Sequence, residues 1–383
     1  MLVLGAGLQG SACAFDLLSH TDATVTLADV NPVQVAGFVK AIGKDRLKLE
    51  TLDAKDETKV RTLMKGHDAA MSALPYYFNY SMARSAVEVG LHFSDLGGNT
   101  EIVRQQQGLD ADAAKKNLSV MPDCGLAPGM INILAAEGIR RLDTVNVVRL
   151  YVGGLPQDPQ PPLNYNIVYS LEGVLDYYTT PSWIVRDGRP TTVEALSEIE
   201  QVEFPAPAGT LEAFHTAGGI STMPWEFEGK IPVMEYKTLR FPGHATIIRA
   251  IRELGLLGLD PVQVKNQTIV PRDAFIALAD PILRKPGVHD FVALRVVVTG
   301  TKGGRDRTVT FDLLDLFDAK HGISAMMRTT GYSLSLTGQL QVAGAVVRPG
   351  VTTSWEGTPF GPYVAGLRER GVMIQEREGP PTH

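Results

Sequence analysis

The sequence predicts an α/β fold in which a doubly wound parallel sheet carries an inserted α+β domain. Two observations support this prediction. Over the first 129 residues, short apolar runs alternate with segments of helical periodicity, which is typical of parallel βαβ units. After Pro128-Gly129 the alternation gives way to longer β-rich segments and proline-rich loops. This change of pattern indicates a second domain with a different architecture.

The first sheet is expected to contain six strands. They are predicted at residues 2–4, 23–27, 47–51, 69–72, 92–95 and 119–122, with helices at 11–20, 32–42, 57–64, 81–89 and 101–115 between them. The carboxyl ends of parallel strands lie at one edge of the sheet, and ligands bind outside that edge. The loops 74–78, 95–99 and 123–129 are therefore the first places to look for chemistry.

A glycine-rich turn follows the first strand directly and opens the first helix. It reads Gly5-Ala6-Gly7-Leu8-Gln9-Gly10, in which Gly5 permits a tight turn and Gly7 lets the backbone approach a pyrophosphate. Gly10 lets the helix pack closely on the strand, and the helix N-terminus supplies N–H groups to the phosphates. Leu8 and Gln9, inside the turn, are expected to contact the same ligand. The pattern predicts a Rossmann-type dinucleotide site.

Asp29 ends the second strand, where a carboxylate can accept hydrogen bonds from both ribose hydroxyls. No Arg or Lys occurs in residues 30–32, so a 2′-phosphate would meet a carboxylate and no cation. The sequence therefore favours NAD over NADP as the cofactor. Further cofactor contacts are expected from the ends of strands three and four, at Asp53, Ser72, Ala73 and Leu74.

The second domain is expected to begin with a helix at 130–142 and a strand at 145–152. Residues 292–300 and 306–314 alternate around a glycine pair, which predicts an antiparallel hairpin. Apolar helices predicted at 329–347 and 362–370 need an apolar surface, so the chain is expected to return to the first domain. We thus assign residues 1–129 and 326–383 to the NAD-binding domain and 130–325 to a substrate-binding domain.

The bulk composition is that of an ordinary soluble protein, which fits a cytoplasmic enzyme. The chain has 383 residues, enough for two domains, and its net charge of −6 argues against a nucleic-acid partner. Its two cysteines, Cys13 and Cys124, fit a reducing cytoplasm, and no apolar run or leader predicts a membrane partner. The histidines are scattered without metal-ligand spacing, so no metal is expected. A homodimer is expected from the frequency of such assemblies.

Sequence blocks across both domains resemble one enzyme family. They lie at residues 2–10, 76–79, 95–98, 122–130, 151–156, 170–176, 212–222, 235–244 and 325–332. In this order they resemble the saccharopine dehydrogenase-like oxidoreductases, and among those the L-lysine 6-dehydrogenases most closely. The resemblance implies NAD-dependent oxidative deamination of the ε-amine of L-lysine. The product would be the 6-semialdehyde, which closes to a cyclic imine, with release of ammonia.

Two acidic strand ends are candidates for catalysis. Asp95 ends the fifth strand at the ligand edge, although a carboxylate there can also cap the next helix or turn. Asp123 occupies the next strand end, and we assign Asp123 and Asp95 as catalytic carboxylates. Cys124 is expected to face the substrate in the same loop, without covalent catalysis. Tyr76, after the fourth strand, is expected to form a wall of the pocket.

A third catalytic candidate, His215, lies in a polar, glycine-flanked block of the second domain together with Thr216. Histidine suits proton relay near neutral pH, although a histidine bonded to backbone is the plainer interpretation. Residues 235–240 alternate like a strand, which places Thr238 and Arg240 on one face. Arg240 there is a candidate to clamp the substrate carboxylate, with surface ion pairing as the alternative.

Two alternatives to lysine oxidation remain open. Saccharopine or carboxynorspermidine dehydrogenases act on the same C–N bond as a secondary amine, but their substrates carry extra carboxylates and demand more cations at the site. A non-catalytic NAD-binding regulator is the alternative from a different class. It predicts cofactor binding without turnover of any amine.

Overall fold

The computed structural model describes residues 1–167 and 170–380. The N-terminal part alternates strands and helices. Its elements are β1 (Leu2–Leu4), α1 (Leu8–His20), β2 (Val25–Asp29), α2 (Gly37–Gly43), β3 (Leu47–Thr51), α3 (Glu57–Met64), β4 (Ala69–Ser72), α4 (Asn79–Val89), β5 (His92–Asp95), α5 (Thr100–Gln107), α6 (Asp110–Lys115) and β6 (Ser119–Met121). Short 3₁₀ helices lie at Pro32–Gln34, Lys44–Arg46 and Tyr76–Phe78.

The remaining elements build a second layer and then return to the first. They are α7 (Met130–Arg140), β7 (Thr144–Pro156), α8 (Leu171–Thr179), β8 (Ser182–Arg186), β9 (Arg189–Val193), β10 (Glu200–Glu203), β11 (Thr210–His215), α9 (Met223–Glu226), β12 (Val233–Arg240), α10 (His244–Glu253), β13 (Val262–Val264), β14 (Gln267–Ile269), α11 (Pro271–Leu283), β15 (Asp290–Lys302), β16 (Arg305–Leu316), α12 (Ala325–Val342), β17 (Gly350–Val351), α13 (Ser354–Gly357), α14 (Phe360–Glu369) and β18 (Gln375–Gly379).

The first sheet is parallel throughout, with strand order β17-β6-β5-β4-β1-β2-β3. The order reverses between β1 and β4, which creates the switch point where such sheets bind nucleotides. β1 is buried on both faces, as its wholly apolar sequence requires. The predicted doubly wound parallel sheet with a second α+β domain is confirmed.

Two predicted helices are interrupted. The helix expected at 101–115 is divided in two: α5 ends at Gln107, with Gly108 as its C-cap, and α6 begins at Asp110. The helix expected at 32–42 is a single 3₁₀ turn that begins at Pro32, followed by the separate helix α2. Val35 and Ala36 between them have ψ values near 140°, which a helix does not permit.

The second sheet has nine strands and is mixed. Its main path is β10-β11-β12-β7-β15-β16-β18, and β8 joins β12 to β9. β12 and β7 run parallel, whereas β7 and β15 pair antiparallel along nearly their whole length. This pairing explains why β7 extends beyond the predicted 145–152. The predicted hairpin is present as β15 and β16, which are joined through Gly303-Gly304.

The chain returns to the first sheet through α12, β17 and α14. α12 packs on α1 so closely that a Cβ added at Gly331 would lie 2.5 Å from the Cβ of Ala12. Asp16 of α1 is fully buried and accepts hydrogen bonds from Arg370 Nε at 2.6 Å and Ser335 Oγ at 2.7 Å. A buried carboxylate needs such partners. The buried carboxylate of α1 therefore depends on the C-terminal segment, which supplies Ser335 and Arg370.

The end of the chain corrects one part of the predicted division. Residues 326–383 were all expected in the NAD-binding domain, but β18 pairs antiparallel with β16 of the second sheet. β16 would otherwise be an edge strand with unpaired backbone groups. Arg141 binds Glu376 of β18 at 2.8 Å, and Arg377 pairs with Asp312, so ion pairs hold the added strand in place.

Within residues 1–167 and 170–380, no helix combines the length and the apolar character needed to cross a bilayer.

Candidate active site

The glycine turn has the geometry that its sequence predicts. Gly5 has φ of +99°, and a Cβ there would lie 3.0 Å from the carbonyl oxygen of Ala73. A Cβ on Gly10 would lie 1.9 Å from the Gly5 carbonyl oxygen, so only glycine lets α1 approach the turn. No heavy atom lies within 4 Å of the position a Gly7 Cβ would occupy. Gly7 therefore faces the open space that a pyrophosphate needs.

Asp29 supports this turn directly. Its Oδ2 accepts a hydrogen bond from the Ala6 N–H at 2.7 Å, and its Oδ1 accepts one from the Asn31 N–H at 2.8 Å. Each carboxylate oxygen has a second lone pair, so the half-buried side chain can also receive ribose hydroxyls. The predicted ribose-binding residue thus also fixes the backbone that faces the phosphates.

The other predicted cofactor residues lie behind or beside the turn. The Ala73 N–H donates to the Leu4 carbonyl at 2.8 Å, and the Leu74 N–H donates to Ser72 Oγ at 3.4 Å. These contacts fix the loop that backs Gly5. Asp53 lies exposed at the end of β3, where its Oδ1 accepts from the Lys55 N–H at 2.9 Å. Of Asp53, Ser72, Ala73 and Leu74, Asp53 is the one exposed residue.

A cavity of about 210 Å³ lies where the loops after β5 and β6 face the second sheet. Residues from both domains line it, among them Gln9, Gly97, Gly98, Gly125, Tyr177, Tyr178, Tyr236, Thr238, Arg240, Met326 and Thr330. Oε1 of Gln9 is buried and accepts no hydrogen bond within the described residues. This unsatisfied acceptor beside the glycine turn fits a dinucleotide that would enter from the turn.

The cavity face of β12 carries the predicted substrate-binding side chains. Tyr236, Thr238 and Arg240 alternate on one face of the strand and all line the cavity. Arg240 Nε donates to the Tyr178 hydroxyl at 3.0 Å, and its guanidinium carbon lies 4.7 Å from the centre of the Tyr165 ring. Thr216 of the adjacent chain segment holds Thr238 through a 2.7 Å hydroxyl contact. Thr216 therefore supports the cavity from behind.

Two buried carboxylates lie beneath the cavity floor. Asp95 accepts hydrogen bonds from Gln106 Nε2 at 2.6 Å and from the Gly97 N–H at 2.7 Å. Asp123 accepts from the Gly98 N–H at 3.4 Å and from the hydroxyl of Ser221 in the second domain. A Cβ on Gly97 would meet Asp123 Oδ1 at 1.6 Å, so this glycine is required for the packing.

Burial sets the proton affinity of both carboxylates. Loss of solvent raises the pKa of Asp95 to about 6, although hydrogen bonds from Gln106 and Gly97 oppose the rise. The same cause raises the pKa of Asp123 to about 7; the hydrogen bond from Ser221 lowers it, and the nearby Asp95 charge raises it further. The pair thus changes protonation between mildly acidic and neutral pH.

These placements change the roles predicted for the two residues. Neither side chain lines the cavity: Asp95 is fully buried and Asp123 is 2% exposed. The floor is instead the backbone of Gly97-Gly98, which both carboxylates hold. We therefore correct the catalytic prediction to a positioning role, because a carboxylate one layer below the cavity cannot touch a substrate there.

His215 lies on the wrong face of the sheet for catalysis in this cavity. It pairs in register with Lys237, whose side chain points away from Tyr236 and Thr238. Its ring contacts the Tyr236 carbonyl at 3.2 Å through Nδ1 and Glu198 Oε2 at 3.2 Å through Nε2. Burial lowers the pKa of His215 below its usual value. The prediction of His215 as a catalytic residue is corrected by the alternation of the strand.

Cys124 is also turned inward. Its thiol is fully buried and lies 3.3 Å from the carbonyl oxygen of Met121, and burial raises its pKa well above the usual range. It does not line the cavity, whereas its neighbour Gly125 does. The predicted substrate contact of Cys124 is therefore replaced by a packing role.

Tyr76 lines a second cavity of about 490 Å³, which adjoins the first across Gly98, Tyr177 and Ala217. Arg104 also lines this second cavity, with its guanidinium carbon 4.2 Å from the centre of the Trp225 ring. The predicted wall residue thus belongs to the neighbouring space.

Sequence reasoning missed three tyrosines that line the first cavity. Tyr177 and Tyr178 come from the last turn of α8, and Tyr236 comes from β12. Tyr236 shares the strand face of Thr238 and Arg240, so the alternation that selected Arg240 also identifies Tyr236. For Tyr177 and Tyr178 the signal was weaker, because they directly follow the block 170–176 but aromatic residues usually indicate packing.

The fold and the glycine turn define a two-domain protein whose first domain has the geometry of a Rossmann-type dinucleotide site. Residues 1–121 match the saccharopine dehydrogenase NADP binding domain, and residues 125–372 match the saccharopine dehydrogenase C-terminal domain. The chain belongs to the saccharopine dehydrogenase family.

Its relatives are distant in sequence. It is 23% identical over 282 residues to the L-glutamate-forming saccharopine dehydrogenase [NADP(+)] of Saccharomyces cerevisiae, a match that covers 72% of this chain and 62% of that protein. The Schizosaccharomyces pombe enzyme of the same name is 21% identical over 98% of both chains. The match thus spans less than two thirds of the first of these relatives. Mouse mitochondrial alpha-aminoadipic semialdehyde synthase is 24% identical over 77% of this chain and 31% of its own.

Among solved structures, apo saccharopine dehydrogenase (L-Glu forming) from Saccharomyces cerevisiae superposes with a TM-score of 0.80. It covers 99% of both chains at 19% identity, which shows the shared fold. The relatives named here are not lysine 6-dehydrogenases, and the two fungal enzymes carry NADP(+) in their names. Similarity to the lysine 6-dehydrogenases and the choice of NAD therefore stay predictions.

The raised pKa of Asp123 predicts a pH-dependent stability. Folding raises this pKa from 3.8 to about 7. The contribution of protonated Asp123 to the free energy of unfolding is therefore fully present below pH 3.8 and is lost as the pH rises through about 7. The amide of Asp123→Asn still accepts from Ser221 but carries no charge. The fall in the free energy of unfolding between pH 5 and pH 8.5, measured by urea denaturation, should therefore be smaller in this variant.

Asp53→Asn serves as the control, since this carboxylate is exposed at the end of β3. Its pH profile should follow that of the unsubstituted protein. If the pH profile of Asp123→Asn also matches that of the unsubstituted protein, Asp123 is not the source of the pH-dependent stability.

Proposed function

We propose that the protein oxidises the bond between the ε-carbon and the ε-nitrogen of L-lysine with NAD⁺. Hydride transfer would give NADH and an imine, and water would hydrolyse the imine to ammonia and the 6-semialdehyde, which cyclises to piperideine-6-carboxylate. The observation that carries this proposal is the charge of the first cavity. Among the described residues that line it, Arg240 is the one cation. One guanidinium suits a substrate with one carboxylate.

The chemistry requires an uncharged amine. A bound nicotinamide would supply an acceptor for hydride from the carbon next to the nitrogen, and an ammonium has no lone pair to assist that transfer. The amine of lysine has a pKa of about 10.4 in water. Apolar walls formed by Leu96, Ala127 and Val152 disfavour the charged form, so the cavity helps to remove the proton. Activity should therefore increase toward alkaline pH.

The second domain would bind the substrate, and the first domain would support the cavity floor. Arg240 would bind the α-carboxylate, with Thr238 and Tyr236 offering hydroxyls on the same strand face. Asp123 and Asp95 hold the Gly97-Gly98 floor at the place where the substrate meets the nucleotide side. The floor therefore sets the distance between the two bound molecules.

A saccharopine-type substrate is the second candidate, and two observations favour it. The fungal relatives are saccharopine dehydrogenases, and the second cavity adds Arg104 next to the first. A secondary amine that spans both cavities would place its additional carboxylates near Arg104. Carboxynorspermidine would use the same two cavities.

A substrate panel distinguishes these proposals. Reduction of NAD⁺ and NADP⁺ is followed at alkaline pH with L-lysine, saccharopine and carboxynorspermidine in turn, and ammonia is assayed in parallel. Lysine turnover with one ammonia per reduced nucleotide is the expected result. Turnover of saccharopine without ammonia, and none of lysine, would replace the first proposal with the second. Cofactor binding without any turnover would leave the regulator hypothesis.

Arg240 can be tested by comparing two substrates that differ in one group. 1,5-Diaminopentane is lysine without its carboxylate. A charge-assisted hydrogen bond contributes about 1.5–3 kcal/mol, so the unsubstituted enzyme should prefer lysine in kcat/KM by roughly 10- to 100-fold. In Arg240→Met this preference should disappear, because the carboxylate has lost its partner.

The comparison controls for damage to the fold, since a general defect lowers both rates equally. KM for the nucleotide should also change less than about twofold. If Arg240→Met still prefers lysine by the original ratio, the carboxylate binds elsewhere.

We further propose that Asp29 makes NAD⁺ the preferred cofactor. A 2′-phosphate would lie beside its carboxylate, whose two oxygens already receive the Ala6 and Asn31 N–H groups. Removing the charge removes the repulsion. In Asp29→Asn the ratio of kcat/KM for NAD⁺ over NADP⁺ should fall by roughly tenfold, equivalent to about 1.4 kcal/mol. Steady-state kinetics with NAD⁺ and NADP⁺ in turn measures this ratio. A ratio unchanged from the parent enzyme would refute the role of Asp29.

A further inference from the structure

A second polar cluster lies on the face of β12 that points away from the cavity. It joins His215 at the end of β11, Glu235 of β12 and Glu198 from the segment between β9 and β10. His215 Nε2 lies 3.2 Å from Glu198 Oε2 and 3.9 Å from Glu235 Oε2. One ligand atom from each of the three residues lies within 4.8 Å of the other two. Three potential ligands thus face a common point.

The orientation of the imidazole is fixed from the other side. Nδ1 of His215 lies 3.2 Å from the carbonyl oxygen of Tyr236. A carbonyl can only accept, so Nδ1 carries the hydrogen and Nε2 of a neutral ring presents its lone pair to the two carboxylates. This is the arrangement of a metal-binding histidine, whose second nitrogen donates to a backbone carbonyl.

A proton alone does not account for the geometry. An imidazolium would satisfy Glu198 by a hydrogen bond, but Glu235 Oε2 at 3.9 Å is too far from Nε2 to accept one. Glu235 is 8% exposed, and its other oxygen, Oε1, already accepts from Arg149 Nε at 2.9 Å. Glu235 Oε2 therefore points toward the ring but is too far away to accept a hydrogen bond from a protonated Nε2.

We propose that Glu198, His215 and Glu235 bind a zinc ion. Zinc–nitrogen and zinc–oxygen bonds of about 2.0–2.2 Å in tetrahedral geometry separate neighbouring ligand atoms by about 3.3–3.5 Å. The two distances from Nε2 lie on either side of this range. The side chain of Glu198 is 42% exposed, so water can reach the fourth position.

Neighbouring cations orient the ligands. Arg186 Nη2 lies 2.9 Å from both oxygens of Glu198, and Lys237 Nζ donates to the Glu198 carbonyl and to Glu200 Oε1, each at 2.8 Å. These contacts fix the carboxylates before any ion binds, and their positive charge moderates the affinity. The site also has a structural effect: it would fasten the segment around Glu198 to β11 and β12, directly behind Tyr236.

The sequence did not reveal this site because its ligands are separated by a loop and a strand rather than by one helical turn. No metal was expected from spacing for that reason. The second sheet brings the three residues together through the register of His215 with Lys237, next to Glu235.

The test uses the full-length protein after chelator treatment. Calorimetric titration with Zn²⁺ should show one tight site per chain, and Co²⁺ in its place should give the visible absorption of a four-coordinate ion. Glu235→Gln keeps the side-chain volume but is a poor ligand, so its dissociation constant for Zn²⁺ should increase at least tenfold. Zn²⁺ should raise the melting temperature of the parent protein more than that of Glu235→Gln.

Glu200→Gln is the matched control, since Glu200 lies in the same cluster on Lys237 but does not face His215. It should bind Zn²⁺ like the parent. The proposal is overturned if the parent protein takes up no stoichiometric Zn²⁺, if Glu235→Gln binds as tightly as the parent, or if Glu200→Gln loses as much affinity. The Co²⁺ spectrum of the unsubstituted protein decides the matter if Glu235→Gln does not fold.

Discussion

The buried ion pair between Asp16 and Arg370 is the contact on which the rest of the structure depends. Asp16 lies on the helix that follows the glycine turn, and its buried charge is paired with Arg370 of the returning C-terminal segment. An uncompensated buried charge costs several kcal/mol, so α1 requires the end of the chain. The same return places α12 over α1, and Met326 and Thr330 of α12 then line the cavity. The nucleotide turn and the cavity are thus completed by one long-range contact.

Local and periodic features were predictable from sequence. The first sheet follows from apolar strands that alternate with helices. The glycine turn follows from the positive φ of Gly5 and from the close approach of Gly10 to the Gly5 carbonyl, which are both local. Arg240 lines the cavity on the same strand face as Thr238, as the alternation of the strand indicates. Breaks within helices, as at Gly108, depend on single capping residues, which a pattern of apolar positions does not reveal.

The face of a strand was less predictable than its existence. His215 and Thr216 are neighbours in sequence, but only Thr216 supports the cavity, because the register of β11 with β12 turns His215 to the other side. Asp95 and Asp123 were correctly placed at strand ends, whereas their depth below Gly97-Gly98 depends on tertiary packing. Cys124 shows the same effect: its loop forms part of the wall while its side chain points into the core.

The floor of the cavity connects stability with chemistry. Asp123 accepts from the Gly98 N–H of the first domain and from the Ser221 hydroxyl of the second, and both hydrogen bonds strengthen when the carboxylate is ionised. The alkaline conditions that would release a proton from the proposed amine substrate also ionise Asp123, whose pKa is about 7. The wall shared by the two cavities is then held most firmly, although the buried charge lowers the free energy of unfolding. The proposed amine oxidation would thus take place on a less stable fold whose floor is fixed at the working pH.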